Sequence, residues 1–200
     1  MDGPEFTIIE VHGIENRLQL AFAAVTEGIA DPVCTQLTDM ATEACPRTDP
    51  TCEIERIYGL VQSLATYRQD PGALDLYKTL RWLIKTRTGD CSSFTIALLT
   101  FLALRGYVCG ASTIWQSEGD WDHIYGLVGI HGRDNSVLRL PVDATKPLGI
   151  PGFEQPATKW HDRLDWWYNA IEWMAWYQNG ADVKAMPRVV PVGRSIVRRL

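Results

Sequence analysis

Between the chain breakers Gly89-Asp90 and Gly106 runs a segment, Cys91 to Leu104, that is apolar on every side of a helix. Phe94, Ile96, Ala97, Leu98, Leu99, Phe101, Leu102 and Leu104 leave no polar stripe to face water, so this helix has to be central and surrounded. The rest of the chain must supply its cover. Upstream, the patterns are helical: Leu18 to Ile29, then Val33 to Ala44, then a helix starting near Glu53 with Ile54, Ile57, Leu60, Val61 and Leu64 on one face, and a shorter segment from Tyr77 to Thr86. Downstream come three strand candidates, Val108 to Trp115, His123 to Ile130 and Val137 to Val142, joined by the turn-rich stretches Ser117-Glu118-Gly119-Asp120 and Gly132 to Ser136. Helices first, then an antiparallel sheet packed on a central helix, reads as α+β.

The remaining stretches are extensions of that core. Gly3 to Val11 reads as a short extended arm, and Cys45 to Cys52 as a loop punctuated by Pro46 and Pro50. After Asp143 the chain passes Pro147, Pro151 and Pro156 as loop, and Trp160 to Gln178 reads as a last long helix. The expected organisation is one globular domain: 1–52 as N-terminal arm and helices, 53–158 as core, 159–182 as a Trp-rich helix, and 183–200 as a basic extended tail. Two hundred residues, 46% hydrophobic, are enough to bury such a core and exclude a disordered chain. A net charge of −5 argues against a dedicated nucleic-acid binder. No uncharged apolar run reaches the length of roughly 18 residues expected of a membrane helix. The opening Met1 to Glu5 has neither a basic nor an apolar signal region, so no secretory signal is expected and a cytoplasmic, reducing setting is the default.

In that setting five cysteines invite a chemical reading, and the odd count leaves at least one without an intramolecular partner. Cys91 sits where the central helix begins. Unpaired N–H groups of the first turn and the helix dipole place partial positive charge beside its sulfur, which predicts a lowered thiol pKa and a donor set for an oxyanion. Ser92 and Ser93 are small and leave the approach open. A hairpin of His123–Ile130 and Val137–Val142 centred on Arg133 would set His123 directly opposite Asp143, on one face of the sheet. A slip of one residue would separate them. Cys91 as nucleophile, His123 as base and Asp143 as its orienting carboxylate form a working set.

The same residues carry a resemblance. Thr88-Gly89-Asp90-Cys91-Ser92-Ser93, Leu104-Arg105-Gly106-Tyr107, Asp122-His123-Ile124-Tyr125 and Leu140-Pro141-Val142-Asp143-Ala144-Thr145 resemble the transglutaminase-like superfamily, over about Ile54 to Pro151 and including Tyr67-Arg68-Gln69-Asp70-Pro71. The pattern is closest to compact transglutaminase-like proteins of phage and prophage structural modules, which share the Cys45-to-Cys52 style of loop. The resemblance implies a papain-like core and a Cys91, His123, Asp143 triad. It also implies cysteine-dependent acyl transfer or amide hydrolysis on a protein or peptide, with no cofactor and no metal. An upstream aromatic or amide commonly completes the oxyanion site, which makes Tyr67 and Trp82 candidates. Ser92 and Ser93 stand where acidic residues are common in these phage relatives, and Ala144 where Pro is usual.

Other features carry alternatives. Cys34, Cys45 and Cys52 lack the short spacing of a zinc site, and a Cys45–Cys52 disulfide across the Pro-rich loop is the easier geometry, while Cys34 and Cys109 read as core. Trp160, Leu164, Trp167, Ile171 and Met174 form one helical stripe, with Trp166, Trp173 and Tyr177 on an adjacent face. That second face is a core edge or a docking surface. In the docking alternative the chain is a virion structural protein, at a tail or head–tail junction, using the fold as a scaffold. Its partners would be other virion proteins or further copies of itself, met through the Trp160–Gln178 helix and the 183–200 arm. It would be made in the host cytoplasm and carried into the virion.

Overall fold

A computed structural model describes residues 13–46, 49–69, 77–114, 123–131, 137–145, 151–152, 163–189 and 191–192. Three of its helices open on an aspartate cap. Asp31 accepts from the Val33 N–H at 3.0 Å to open α2 (Pro32–Thr42), after α1 (Ile14–Ala30). Asp49 accepts from the Cys52 N–H at 3.1 Å to open α3 (Pro50–Leu64), and Asp90 from Ser93 at 3.0 Å to open α5 (Cys91–Leu104). Pro32 and Pro50 each fill the first helical turn, where a missing N–H costs nothing and φ is already helical. Pro50 to Cys52 therefore belong to α3, not to the loop that two prolines suggested. The short α4 (Leu80–Thr86) closes on Arg87 in the left-handed region.

Around α5 the cover is as its composition demands. α1, α2, α3 and α4 pack against it, and the sheet strands β3 (Val108–Ile114) and β4 (His123–His131) lie on it. Two close approaches set the spacing. A Cβ on Gly28 of α1 would stand 2.7 Å from the Thr100 side chain, and one on Gly126 of β4 would stand 2.7 Å from Leu98. The five-stranded antiparallel sheet has the order β5 (Val137–Val142), β4, β3, β6 (Arg163–Trp167), β7 (Pro191–Val192). A separate parallel pair joins β1 (Thr66–Tyr67) to β2 (Thr88–Gly89), just before α5. One apolar core takes side chains from Leu18 to Val189.

The segment 160–178 departs from the helix expected of it. Residues 163–167 form β6, and only Ala170–Gln178 is helical (α6), opened by Asn169. The physical reason lies in β3. Its second edge needs partners for its backbone groups, and β6 supplies them from Gly110↔Trp167 to Ile114↔Arg163. The pairing is close enough that a Cβ on Gly110 would collide with the Trp166 carbonyl. Two residues of the second Trp-rich face, Trp166 and Trp173, belong to the core edge. Trp166 is 1% exposed, with its indole N–H on Thr113 Oγ1 at 3.0 Å, and Trp173 is 2% exposed against Phe22, Tyr168 and Trp176. Ile171, from the other apolar stripe, is 85% exposed. Part of the tail also returns to the body. Gln19 donates to the Pro187 carbonyl, Val189 is buried, and β7 pairs with β6. The expected Gly3–Val11 arm and residues 193–200 lie outside the described residues.

Candidate active site

Each residue of Gly89-Asp90-Cys91 has a local reason. A Cβ at Gly89 would sit 2.6 Å from Leu83 and 2.7 Å from the Ser93 Cβ, so only glycine lets β2 meet α4 and α5 here. Asp90 caps the helix, and its Oδ1 accepts from Ser92 Oγ (2.7 Å), the Ser93 N–H (3.0 Å) and Ser93 Oγ (2.9 Å). The two serines thus do more than leave space, for both hydroxyls are spent on the cap. Cys91 is a free, half-buried thiol whose sulfur receives the backbone N–H groups of Ile124 and Ser92.

Its ionisation runs opposite to expectation. Burial pushes the Cys91 thiol up to about 12, the Asp90 carboxylate adds to the rise, the two N–H groups oppose it, and Asp143 adds a smaller push. The helix terminus favours a thiolate. Desolvation and two nearby carboxylates outweigh it.

His123 and Asp143 meet, though not in the register expected. Gly126 faces Val142 and Leu127 faces Pro141, so Asp143, one residue past β5, is level with Tyr125 rather than His123. The offset is two residues, and an even slip keeps both side chains on one face where an odd one would part them. A diagonal pair is within reach of a long side chain. His123 Nε2 and Asp143 Oδ2 are 2.7 Å apart, with side chains 10% and 4% exposed. A carboxylate only accepts, so Nε2 is the nitrogen that donates, and Nδ1 is the one turned away from Asp143. The His123 ring also stacks on Tyr125 at 5.9 Å.

The carboxylate is held from both sides. Its Oδ1 accepts from the Thr145 N–H (3.0 Å) and Thr145 Oγ1 (2.6 Å), and the Asp143 carbonyl accepts from Tyr58 Oη (3.1 Å), which receives Gln62 Nε2 (3.2 Å). Burial, with the Asp143 charge behind it, pushes the Tyr58 phenol up to about 12, so it stays a donor. Helix α5 reaches this pair where β5 has ended. The Ile124 N–H points at Cys91, and the Ile124 carbonyl accepts from Thr95 Oγ1, one turn further along, at 3.2 Å. His123 and Asp143 are thus in direct contact, and Cys91 is tied to the same strand through Ile124, the residue after His123.

The other candidates separate. Tyr67 lies in β1 opposite Gly89, 45% exposed, with its ring 6.1 Å from Phe94. The Arg68 N–H donates to the Gly89 carbonyl at 2.8 Å. Trp82 lies on α4 under Lys85 Nζ at 5.0 Å, and no described contact takes it to Cys91. Cys45 and Cys52 are joined by a disulfide. Cys34 and Cys109 are buried, and burial pushes each thiol up to about 12. Among the described residues no group of three or more His, Cys, Asp or Glu could hold a metal ion, and no helix is long and apolar enough to cross a membrane.

No family model matches the sequence. No curated protein matches it either. Solved structures are similar to it, among them the following. A candidate protease from Parabacteroides distasonis has 9% identity and a TM-score of 0.45, over 64% of this chain and 29% of that one. A candidate cysteine protease from Cytophaga hutchinsonii has 13% identity and a TM-score of 0.47, over 66% and 43%. A TGase has 14% identity and a TM-score of 0.42, over 75% and 37%. The chain thus spans less than half the length of each of these three structures.

Proposed function

We propose that this chain is a transglutaminase-like cysteine enzyme that transfers or hydrolyses the acyl group of an amide in a protein or peptide. The observation that carries this is the buried His123–Asp143 pair at 2.7 Å, beside a free thiol that takes the next residue's N–H. In the first step the Cys91 sulfur forms a bond to the amide carbonyl carbon while its proton passes to His123 Nδ1. Asp143 stabilises the imidazolium and keeps the ring in position. The charge gathered on the carbonyl oxygen is met by backbone N–H groups at the start of α5, with Tyr67 of β1 as the upstream partner. The C–N bond then breaks, His123 returns the proton to the leaving amine, and a thioester remains on Cys91. Water or a second amine attacks that thioester, with His123 again taking the incoming proton. A thiol pushed up to about 12 makes His123 indispensable in this scheme, because little thiolate exists before the base acts.

The test is alkylation of the folded chain with iodoacetamide at neutral pH, followed by peptide mapping. Cys91 should label faster than Cys34 and Cys109, and His123→Ala should slow it. Equal, sluggish labelling of all three free thiols would sink the proposal. The alternative of a virion structural protein in a phage setting loses one of its supports, the Trp-rich helix, since Trp166 and Trp173 are core residues and residues 163–167 form a strand.

A further inference from the structure

Asp143 follows a strand whose own pairing fixes its place weakly. Among the described strands β5 pairs with β4 alone, through six residue pairs, and in two of them the β4 member is a glycine: Gly126↔Val142 and Gly129↔Arg139. A third pair, Leu127↔Pro141, includes a residue with no N–H to give. Glycine-rich pairings hold register poorly, yet register decides this site. A slip of one residue would turn Asp143 to the face of the buried Val142, and a slip of two would carry it about 7 Å along β4. One contact shares the parity of Asp143. Arg139, four residues earlier and so on the same face, donates from Nε and an Nη to both carboxylate oxygens of Asp165, at 2.5 and 2.9 Å. Asp165 belongs to β6, and β4 and β3 lie between the two strands. The sheet therefore curls enough for two side chains to join its first strand to its fourth, over the face that carries the small cluster of Ile114, Tyr125 and Leu127. The pair is buried, with side chains 13% and 6% exposed. A buried ion pair gains little stability over apolar residues of similar volume, and fixing register is its best-attested use.

We propose that Arg139 and Asp165 are positioning residues that pin the register of β5 and so hold Asp143 against His123. A guanidinium fork bonded to both oxygens of a carboxylate fits in one place and one orientation. Arg139 and Asp143 ride on the same segment of chain at an even separation. Any slip that takes Asp143 off His123 Nε2 therefore takes Arg139 off Asp165, and each buried charge loses the other. That penalty falls on every register except the one in which His123 and Asp143 stand 2.7 Å apart. The inference rests on the roles given above to His123 as base and Asp143 as its orienting carboxylate.

The test reads the His123–Asp143 contact itself, on the full chain, as the downfield ring N–H proton signal of His123 in NMR, assigned by its loss in Asp143→Ala. Arg139→Met combined with Asp165→Leu replaces the ion pair by apolar residues and takes the pin away without leaving a lone buried charge. In this double variant the His123 signal should vanish while the rest of the spectrum stays as dispersed as that of the unsubstituted chain. Glu53→Gln breaks the other buried pair, between α3 and Arg105, and should leave the signal whole. A folded double variant with an undiminished signal overturns the proposal, and so does an equal loss in Glu53→Gln, which would mark general loosening. If the double variant does not fold, Arg139→Lys keeps the charge but gives up the fork. It should weaken the signal, and a signal of full strength there overturns the proposal as well. The signal needs no substrate, so the two ideas fail separately: turnover indifferent to Cys91→Ala would end the acyl-transfer proposal, and an undiminished signal would end this one.

Discussion

The two ends of α5 both bury carboxylates, and they do it in different ways. At the C-terminal end Glu53 of α3 meets the Arg105 guanidinium at 2.5 Å and the Tyr107 hydroxyl at 2.8 Å. The Arg105 hydrogen bond holds the Glu53 carboxyl below the usual carboxylate range despite its burial. There a cation answers the anion. At the N-terminal end Asp90 is held by hydroxyls and an amide, and Asp143 by an amide, a hydroxyl and an imidazole. Neutral donors satisfy geometry while leaving negative charge in place, and that charge presses on the neighbouring thiol. One end is a rivet. The other is a site whose proton balance can be moved.

The largest effect expected is at the reactive end. Asp143→Asn should keep the fold, since Asn still accepts from Thr145, yet lower acyl transfer by about 10⁴-fold through loss of the imidazole's orientation and support. Turnover within tenfold of the unsubstituted chain would break the contrast. Next comes the rivet: Glu53→Gln should cost about 2 kcal/mol of stability in urea unfolding, because Arg105 and Tyr107 lose a charged partner, and should leave the rate of Cys91 alkylation where it was. The same substitution tests the sign of a pH effect. A carboxyl whose folded pKa lies below its unfolded value of 4.5 adds stability at higher pH, and loses it as acid carries the pH down through the folded value. The unsubstituted chain should therefore lose stability below that point more steeply than Glu53→Gln, as read from melting temperatures on acidification. Smallest is Tyr58→Phe, which removes one donor from the Asp143 carbonyl. It should cost about 1 kcal/mol and slow turnover more than it slows Cys91 alkylation, since alkylation needs no substrate held in place.

Much of the reactive end was legible because its determinants are local. The break at Gly89-Asp90, the all-round apolar α5 and the limits of β5 follow from neighbouring residues, and His123 and Asp143 meet because the register error was even. The ionisation of Cys91 was not legible. Its rise comes from burial by elements distant in sequence, and from an Asp90 that reads simply as a chain breaker. Thr145 and the two serines are polar residues of a common kind, and only contacts reveal that they hold carboxylates. The segment 160–178 failed for a different reason. Its Trp spacing suits a helix as well as a strand, and the unpaired edge of β3, some fifty residues upstream, decides between them.

The bond between Cys45 and Cys52 has a practical consequence for anyone handling the chain. It brackets Arg47, a tryptic site, within a ring closed by covalent bonds. A protease that cuts there leaves two fragments of one molecule, still moving as a single band until a reductant is added. Gels run with and without reductant would therefore separate an intact chain from a nicked one that otherwise looks the same.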